Sequence, residues 1–419
     1  MRIPLLSELT PSARAAGLAH QEHVLTPENL PCDVARATVI GGAATGLGLA
    51  LSLVSKGISV LFLEDDASSL ERAQDYLRRG LGGDPTGLLR FSIDPAEASE
   101  SDLILDRSSE PIPRKLALLQ QLTHYVASDT PILPNLAGAD LSAVACALPA
   151  PERVLGVQIF TPAQQTRIVE LAPHSGTAPG ITKQVFGLVS RLGKVPVMAP
   201  ASGFVSERLN LRLLEAADTL LMDGTTPWEI DEALEDFGYA MGIYEAQDLI
   251  GTDVAYGVRQ RRPRDPARRY IPIADRAVEE GRLGKKASVG WYRYPGGGGK
   301  VIDPLVEDLC REEAWFAGIS RREFPPEEIR KRLLLSQINE AAWALSRGVS
   351  ADDLDRISTQ ALGLPPQTGG IVFWADQMNA REIAAALTAL QTEDPLVWGV
   401  APPLVQAAQT GERLRDLAG

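Results

Sequence analysis

Cysteine is scarce in this chain: three in 419 residues, at Cys32, Cys146 and Cys310, far apart and without metal-ligand spacing. That excludes a disulfide framework and a cysteine-rich metal centre, fits free thiols in a reducing compartment, and leaves no metal among the expected cofactors. Long apolar runs are missing too. No stretch approaches membrane-spanning length and none follows Met1-Arg2, so neither a membrane span nor a secretory leader is expected. Positive charge is in deficit, with 41 Lys and Arg against 54 Asp and Glu and a net charge of -13. A nucleic-acid groove or an anionic membrane surface is thereby excluded as the general partner, while a local basic pocket for a phosphorylated ligand remains open. Arg259 to Arg269 is a basic patch of that kind, read as a solvated loop. These absences together lead to the expectation of a soluble cytoplasmic protein.

What is present is a large apolar fraction, 45% of the residues, enough to bury more than one core and to build two or three domains. Residues 1-34 read as an arm or linker, a short amphipathic run from Leu5 to Ala19 followed by the breakers Pro27 and Pro31. From Arg36 the pattern alternates. An apolar strand to Ile40, a glycine turn and a helical repeat at Leu47, Ala50, Leu51 and Val54 come first. A strand from Ile58 to Leu63, a helix from Ser69 to Arg79 and a strand from Asp102 to Leu105 follow, with further signals through Phe160. Such alternation predicts an α/β Rossmann-type domain, a doubly wound parallel sheet over 35-198.

After Met198 the pattern turns helical. Arg208-Leu209, Glu215-Ala216-Ala217, Leu220 and Ile230-Asp231 recur roughly 125 residues later as Arg332-Leu333, Glu340-Ala341-Ala342, Leu345 and Leu354-Asp355. Two related all-α domains are expected, at 199-322 and 323-419.

The turn Gly41-Gly42-Ala43-Ala44-Thr45-Gly46 sits between a strand and a helix, where a dinucleotide-binding turn belongs. The first glycine permits the reversal, the second lets a pyrophosphate approach the backbone, and the third allows close helix packing. Here these are Gly41, Ala43 and Gly46, with a methyl group at the position of closest approach. Glu64 ends the second strand, placed to accept hydrogen bonds from a ribose diol and to repel a 2'-phosphate, which selects NAD over NADP. A glycine turn that merely packs is the alternative.

A series of short motifs then follows in order. They are Pro151-Glu152-Arg153-Val154-Leu155-Gly156 with Phe160-Thr161-Pro162-Ala163, Ile168-Val169-Glu170, Leu192-Gly193-Lys194, Gly203-Phe204-Val205, and Gly281-Arg282-Leu283-Gly284-Lys285-Lys286 with Gly290-Trp291-Tyr292. With the glycine turn, this series resembles the 3-hydroxyacyl-CoA dehydrogenase family over nearly the whole chain, in particular the dehydrogenase half of the multifunctional fatty-acid oxidation enzymes. The resemblance implies NAD as cofactor and an acyl-CoA-like 3-hydroxy substrate. It implies that Glu110 and Lys115 contact the nicotinamide end and that Asn135 meets its ribose.

It also implies a histidine that takes the substrate's hydroxyl proton, held by a glutamate. The glutamate is Glu170, but Gln158 stands at the histidine position. A glutamine amide cannot take up a proton near neutral pH, so a general-base contribution of roughly 10²- to 10⁴-fold is lost. Ala137, Thr161 and Glu207 replace further family residues at the reacting centre. Three readings stand: an oxidoreductase with an altered site at Gln158, Glu170 and Glu207, in which Glu207 or Glu170 replaces the imidazole; a silent NAD- and acyl-CoA-binding pseudoenzyme or partner subunit; or a scaffold that holds neither ligand. His174 reads as a surface-loop residue, because Pro173 interrupts any strand reaching it. Arg78 and Arg79 could pair with coenzyme A phosphates or complement a helix C-terminus. A duplicated helical domain supplies its own dimer-like contact, so a monomer with an internal pseudo-dimer is expected.

Overall fold

Five apolar strands, each parallel to its neighbours, form the first sheet. The computed structural model describes residues 1-25, 32-80, 86-108, 110-136, 139-160, 166-201, 203-261 and 270-417. Ahead of the sheet comes α1 (Pro11–Val24). β1 (Arg36–Ile40) and β2 (Ser59–Leu63) are buried after their first residue, and β4 (Leu103–Asp106) is buried throughout. Burial on both faces is what a sheet covered by helices demands, and it explains the unbroken Val, Leu and Ile runs. With β3 (Leu89–Ser92) and β5 (Ile132–Leu133) the order is β3-β2-β1-β4-β5. The chain crosses from one side of β1 to the other between β3 and β4, so the topological switch point lies between β1 and β4.

The helices of this part are α2 (Ala43–Val54), α3 (Ala67–Gly80), α4 (Ile112–Leu122), α5 (Leu141–Cys146) and α6 (Pro179–Arg191). Leu47 and Leu53 of α2, Val60 and Phe62 of β2, Leu105 of β4 and Val185 of α6 share one core. Each such side chain contributes about 1.5–3 kcal/mol on burial.

The expected doubly wound parallel sheet is present, with one departure. β6 (Leu155–Ile159) runs antiparallel to β7 (Ile168–Pro173), which is parallel to β8 (Val195–Met198). Residues 160-167 are too few for a parallel crossover, which takes roughly a dozen residues or more. An isolated parallel bridge between Ile132 and Val154 ties the two sheets.

His174 corrects the surface-loop expectation. β7 extends to Pro173, its last residue, where a missing N–H is tolerated. His174 follows it, buried, with Gly176 N donating to Nδ1 at 3.1 Å and Nε2 lying 2.8 Å from the Pro151 carbonyl. Nδ1 is therefore the acceptor and Nε2 carries the proton.

Two compact units result, residues 25-204 and residues 1-24 with 205-419. The second is helical: α7 (Val205–Asp223), α8 (Pro227–Phe237), α9 (Ile243–Ile250), α10 (Thr252–Arg261), α11 (Ile273–Glu279), α12 (Pro304–Phe316), α13 (Pro326–Leu345), α14 (Ala351–Gln360) and α15 (Ile371–Ala375). α13 is buried on nearly every face and packs along α7 and α8, the position of a core helix. Two of its buried amides are paired: Gln337 accepts from Tyr239 Oη at 3.0 Å, and Asn339 accepts from Ala401 N at 2.9 Å. α8 starts at a Thr226 cap that receives Glu229 N, and α14 at a Ser350 cap that receives Asp353 N. Asp231 and Asp355 follow those caps at the same spacing.

The arm is an integral part of the helical unit. Gln21 donates to the Gly369 carbonyl at 2.7 Å, and Gly17 comes so close to Gln367 that a Cβ there would lie 2.2 Å from its carbonyl oxygen. Of the Arg259 to Arg269 patch, residues 262-269 lie outside the described residues, and Arg259 Nε pairs with Asp275 at 2.5 Å.

Candidate functional site

The carboxyl ends of β1, β2 and β4 meet at the switch point, where open α/β sheets hold their ligands. Gly41 and Gly42 leave β1 with φ of 58° and 72°, a left-handed turn that favours glycine. A Cβ on Gly46 would lie 2.0 Å from the Gly41 carbonyl oxygen, so no other residue fits there. Ala43 is the first residue of α2, and its N-cap is Gly42, which has no side chain to satisfy the first-turn amides. Those amides and the helix dipole are suited to an anion.

Glu64 follows β2 and is half-buried. Burial pushes its carboxyl above the usual range, and the charges of Asp65 and Asp66 add to that. Glu110 acts on it in the same direction, while its own carboxylate lies 3.3 Å from Arg114. The rim is acidic, which suits a ribose diol and opposes a further phosphate.

Lys115 is buried, its Nζ 3.0 Å from Asp106 Oδ2 and 2.5 Å from the Ser108 carbonyl. Asn135 Nδ2 donates to the same carbonyl at 2.9 Å, and Asn135 N to Asp106 Oδ2 at 3.3 Å. Lys115 and Asn135 thus brace residues 106-108 at the end of β4. Asp106, the hub of this brace, was not singled out from the sequence. Its signal was an acid closing an apolar strand, where a buried charge needs a partner.

On the second sheet, Gln158 of β6 stands directly across from Glu170 of β7. Glu170 has no exposed surface and Gln158 is half-buried. The antiparallel pairing of β6 and β7 brings these two together despite the loop between them. Ala137 and Thr161 lie outside the described residues. Glu207 belongs to the helical unit, in the first turn of α7, where an acid complements the helix dipole. Arg78 and Arg79, at the end of α3, both pair with Asp75.

Among the described residues, His20, Asp352 and Asp355 have donor atoms within 4.8 Å of one another, a set that could hold a metal ion. It lies in the helical unit. Asp355 Oδ2 there already pairs with His20 at 2.9 Å and with Arg415 at 3.0 Å, and a fixed arginine cation disfavours a second cation.

Two family models match end to end. Residues 36-202 match 3-hydroxyacyl-CoA dehydrogenase, NAD binding domain, and residues 203-294 match 3-hydroxyacyl-CoA dehydrogenase, C-terminal domain. A relative named peroxisomal bifunctional enzyme, from Danio rerio, is 32% identical over 384 residues, covering 85% of this chain and 53% of its own length. The chain thus spans about half the length of the curated relatives it matches. Among solved structures, 3-hydroxybutyryl-CoA dehydrogenase from Escherichia coli has a TM-score of 0.74 at 24% identity, covering 90% of this chain and 98% of that one. The dehydrogenase part of multifunctional enzyme 1 from C. elegans has a TM-score of 0.63 at 21% identity, covering 95% of this chain and 97% of that one. Both of these establish the fold.

The cytoplasmic expectation is overturned. Relatives from fish, mammals and rice are named as peroxisomal. Free thiols and the lack of apolar runs could not have shown this, because such addresses are read by receptors from short signals and leave composition unchanged.

Proposed function

This chain belongs to the 3-hydroxyacyl-CoA dehydrogenase family, and on that premise we propose that it is an NAD-dependent oxidoreductase with a slowed proton step, acting on a 3-hydroxyacyl-CoA-like substrate of fatty-acid β-oxidation. The observation that carries the proposal is the Gln158–Glu170 pair, kept in register across β6 and β7 while the residue that exchanges protons is changed. Bound NAD supplies the hydride acceptor for the substrate's carbinol carbon. Gly41, Gly46 and the first turn of α2 hold its phosphates, Glu64 its adenosine ribose, and Glu110, Lys115 and Asn135 shape the nicotinamide end.

In this reading Gln158 offers its amide N–H to the substrate's 3-oxygen and Glu170 orients the amide from behind. Glu170 has no exposed surface, which suits an orienting role better than direct proton exchange. The hydroxyl proton leaves to water, and the missing imidazole slows turnover by about 10²- to 10⁴-fold. Residues 35-198 hold the cofactor. Residues 199-322 and 323-419 are duplicated copies that supply one another's interface, so the chain works as a monomer. A scattering mass of twice the chain at micromolar concentration would count against that.

The second reading, a silent NAD- and acyl-CoA-binding subunit, rests on the same Gln158. One experiment separates them: titrate NADH by fluorescence, then follow NADH oxidation with acetoacetyl-CoA in the native chain and in Gln158→His. The oxidoreductase reading expects binding, slow native turnover and a gain of about 10²-fold or more in the variant. Binding with no turnover in either protein favours the silent subunit.

A further inference from the structure

Arg107 follows Asp106 at the end of β4, on the switch-point side of the glycine turn. A Cβ on Gly42 would lie 2.3 Å from the Arg107 carbonyl oxygen and 3.1 Å from its Cβ, so residue and turn are in contact. Its backbone N donates to the Ile40 carbonyl at 2.8 Å, which ties it to the last residue of β1. The side chain is half-buried, and among the described residues nothing hydrogen-bonds or ion-pairs with its guanidinium. Asp106 is the one acid whose charge bears on it, and that carboxylate is already held by Lys115 at 3.0 Å. A partly dehydrated arginine without a counter-ion is costly to keep, and an anion at that spot removes the cost.

The turn departs from the dinucleotide-binding pattern at one position: residue 43 is alanine where the pattern has the glycine that lets a phosphate approach the backbone. A planar guanidinium reaching the same phosphate oxygens gives charge-assisted, bidentate hydrogen bonds that do not depend on close backbone approach.

We propose that Arg107 is a pyrophosphate-binding residue of the cofactor site, in a turn whose sequence has alanine in place of the middle glycine. The inference rests on the NAD reading above and adds to it a positively charged contact to the diphosphate. It predicts that affinity for the diphosphate portion is set by this side chain and falls with added salt, whereas the adenosine portion depends on Glu64.

The test uses the full chain and two variants, Arg107→Met, which keeps the stem and drops the charge, and Arg107→Lys. Affinities for NADH, ADP, adenosine and acetoacetyl-CoA are measured by fluorescence or calorimetry, with thermal melting as a check on folding. Arg107→Met is expected to weaken NADH and ADP about 10- to 100-fold with adenosine unchanged, and Arg107→Lys to keep part of the affinity. A folded Arg107→Met that binds ADP as tightly as the native chain overturns the proposal. So does an equal loss for adenosine, or a loss confined to acetoacetyl-CoA, which would make Arg107 a substrate contact. In those cases the NAD reading survives. If the native chain binds neither NADH nor ADP, that reading falls and takes the inference with it.

Discussion

Asp231 in the first helical repeat and Asp355 in the second each cap the helix that follows. Asp231 receives Tyr244 N and Glu245 N, both at 2.9 Å, and Asp355 receives Val372 N at 2.7 Å and Phe373 N at 3.0 Å. Each packs against a glycine, Gly242 or Gly370, whose added Cβ would lie 2.0 Å or 2.3 Å from the aspartate. The remaining partners differ. Asp231 Oδ2 takes the Tyr292 hydroxyl at 2.9 Å, whereas Asp355 Oδ2 takes His20 of the arm and Arg415. The backbone device is the same at both aspartates, and the groups that complete it differ. At Asp231 that is a neutral hydroxyl, and at Asp355 a guanidinium and an imidazole from opposite ends of the chain. The pairing of the arginines in the two segments is also uneven. Arg208 reaches across to Glu340 at 2.6 Å, while its counterpart Arg332 pairs with Glu328 and Glu393.

The comparison breaks most sharply at the aspartates themselves. Asp355→Asn should destabilise the fold by about 3–5 kcal/mol in chemical denaturation, because an amide facing Arg415 finds no acceptor there and leaves the arginine with Asp376 as its remaining carboxylate. Asp231→Asn should cost less, about 1–3 kcal/mol, since the Tyr292 hydroxyl can reverse and accept. Equal losses would show that the charged partners of Asp355 contribute nothing.

Protonation sharpens the same contrast. Burial pushes the Asp231 carboxyl up to about 6, well above its unfolded value, so the folded state binds the extra proton. Stability from this group is greatest below about pH 4 and declines as pH rises to about 6, by roughly 2–3 kcal/mol. Asp231→Asn should remove that decline from a pH series of denaturation midpoints, and an unchanged slope would assign it to another buried acid such as Asp218. Docking of the arm is next in size: His20→Ala should cost about 1–2 kcal/mol, as one partner of Asp355 is lost while Arg415 remains. The caps should give the smallest and most equal effects, about 1 kcal/mol each for Thr226→Ala and Ser350→Ala. A large difference between them would mean that the copies diverged at their caps as well.

Much of this was legible in advance because it is local. The strand, glycine turn and helix around Gly41 and Gly46 follow from chain geometry, and the repeat of Ile230-Asp231 as Leu354-Asp355 is a matter of spacing. The pairing of Gln158 with Glu170 was anticipated only through resemblance, since the register depends on an antiparallel turn that apolar alternation does not encode. Asp106 escaped notice because a lone acid at a strand end looks like any turn residue until Lys115, nine positions on, folds back to it. His174 was misjudged because Pro173 ends a strand as readily as it prevents one.

The order of elements, the cofactor turn, the recurrence of Ile230-Asp231 as Leu354-Asp355 and the glutamine at position 158 were determined by the amino-acid sequence alone, for each depends on residue type and spacing along the chain. Tertiary structure decided which charges found partners among the described residues: Asp355 with His20 and Arg415, Lys115 with Asp106, and Arg107 with none. The reason is physical. A charge removed from water is governed by whatever the fold brings within a few ångströms, and those neighbours come from distant parts of the chain.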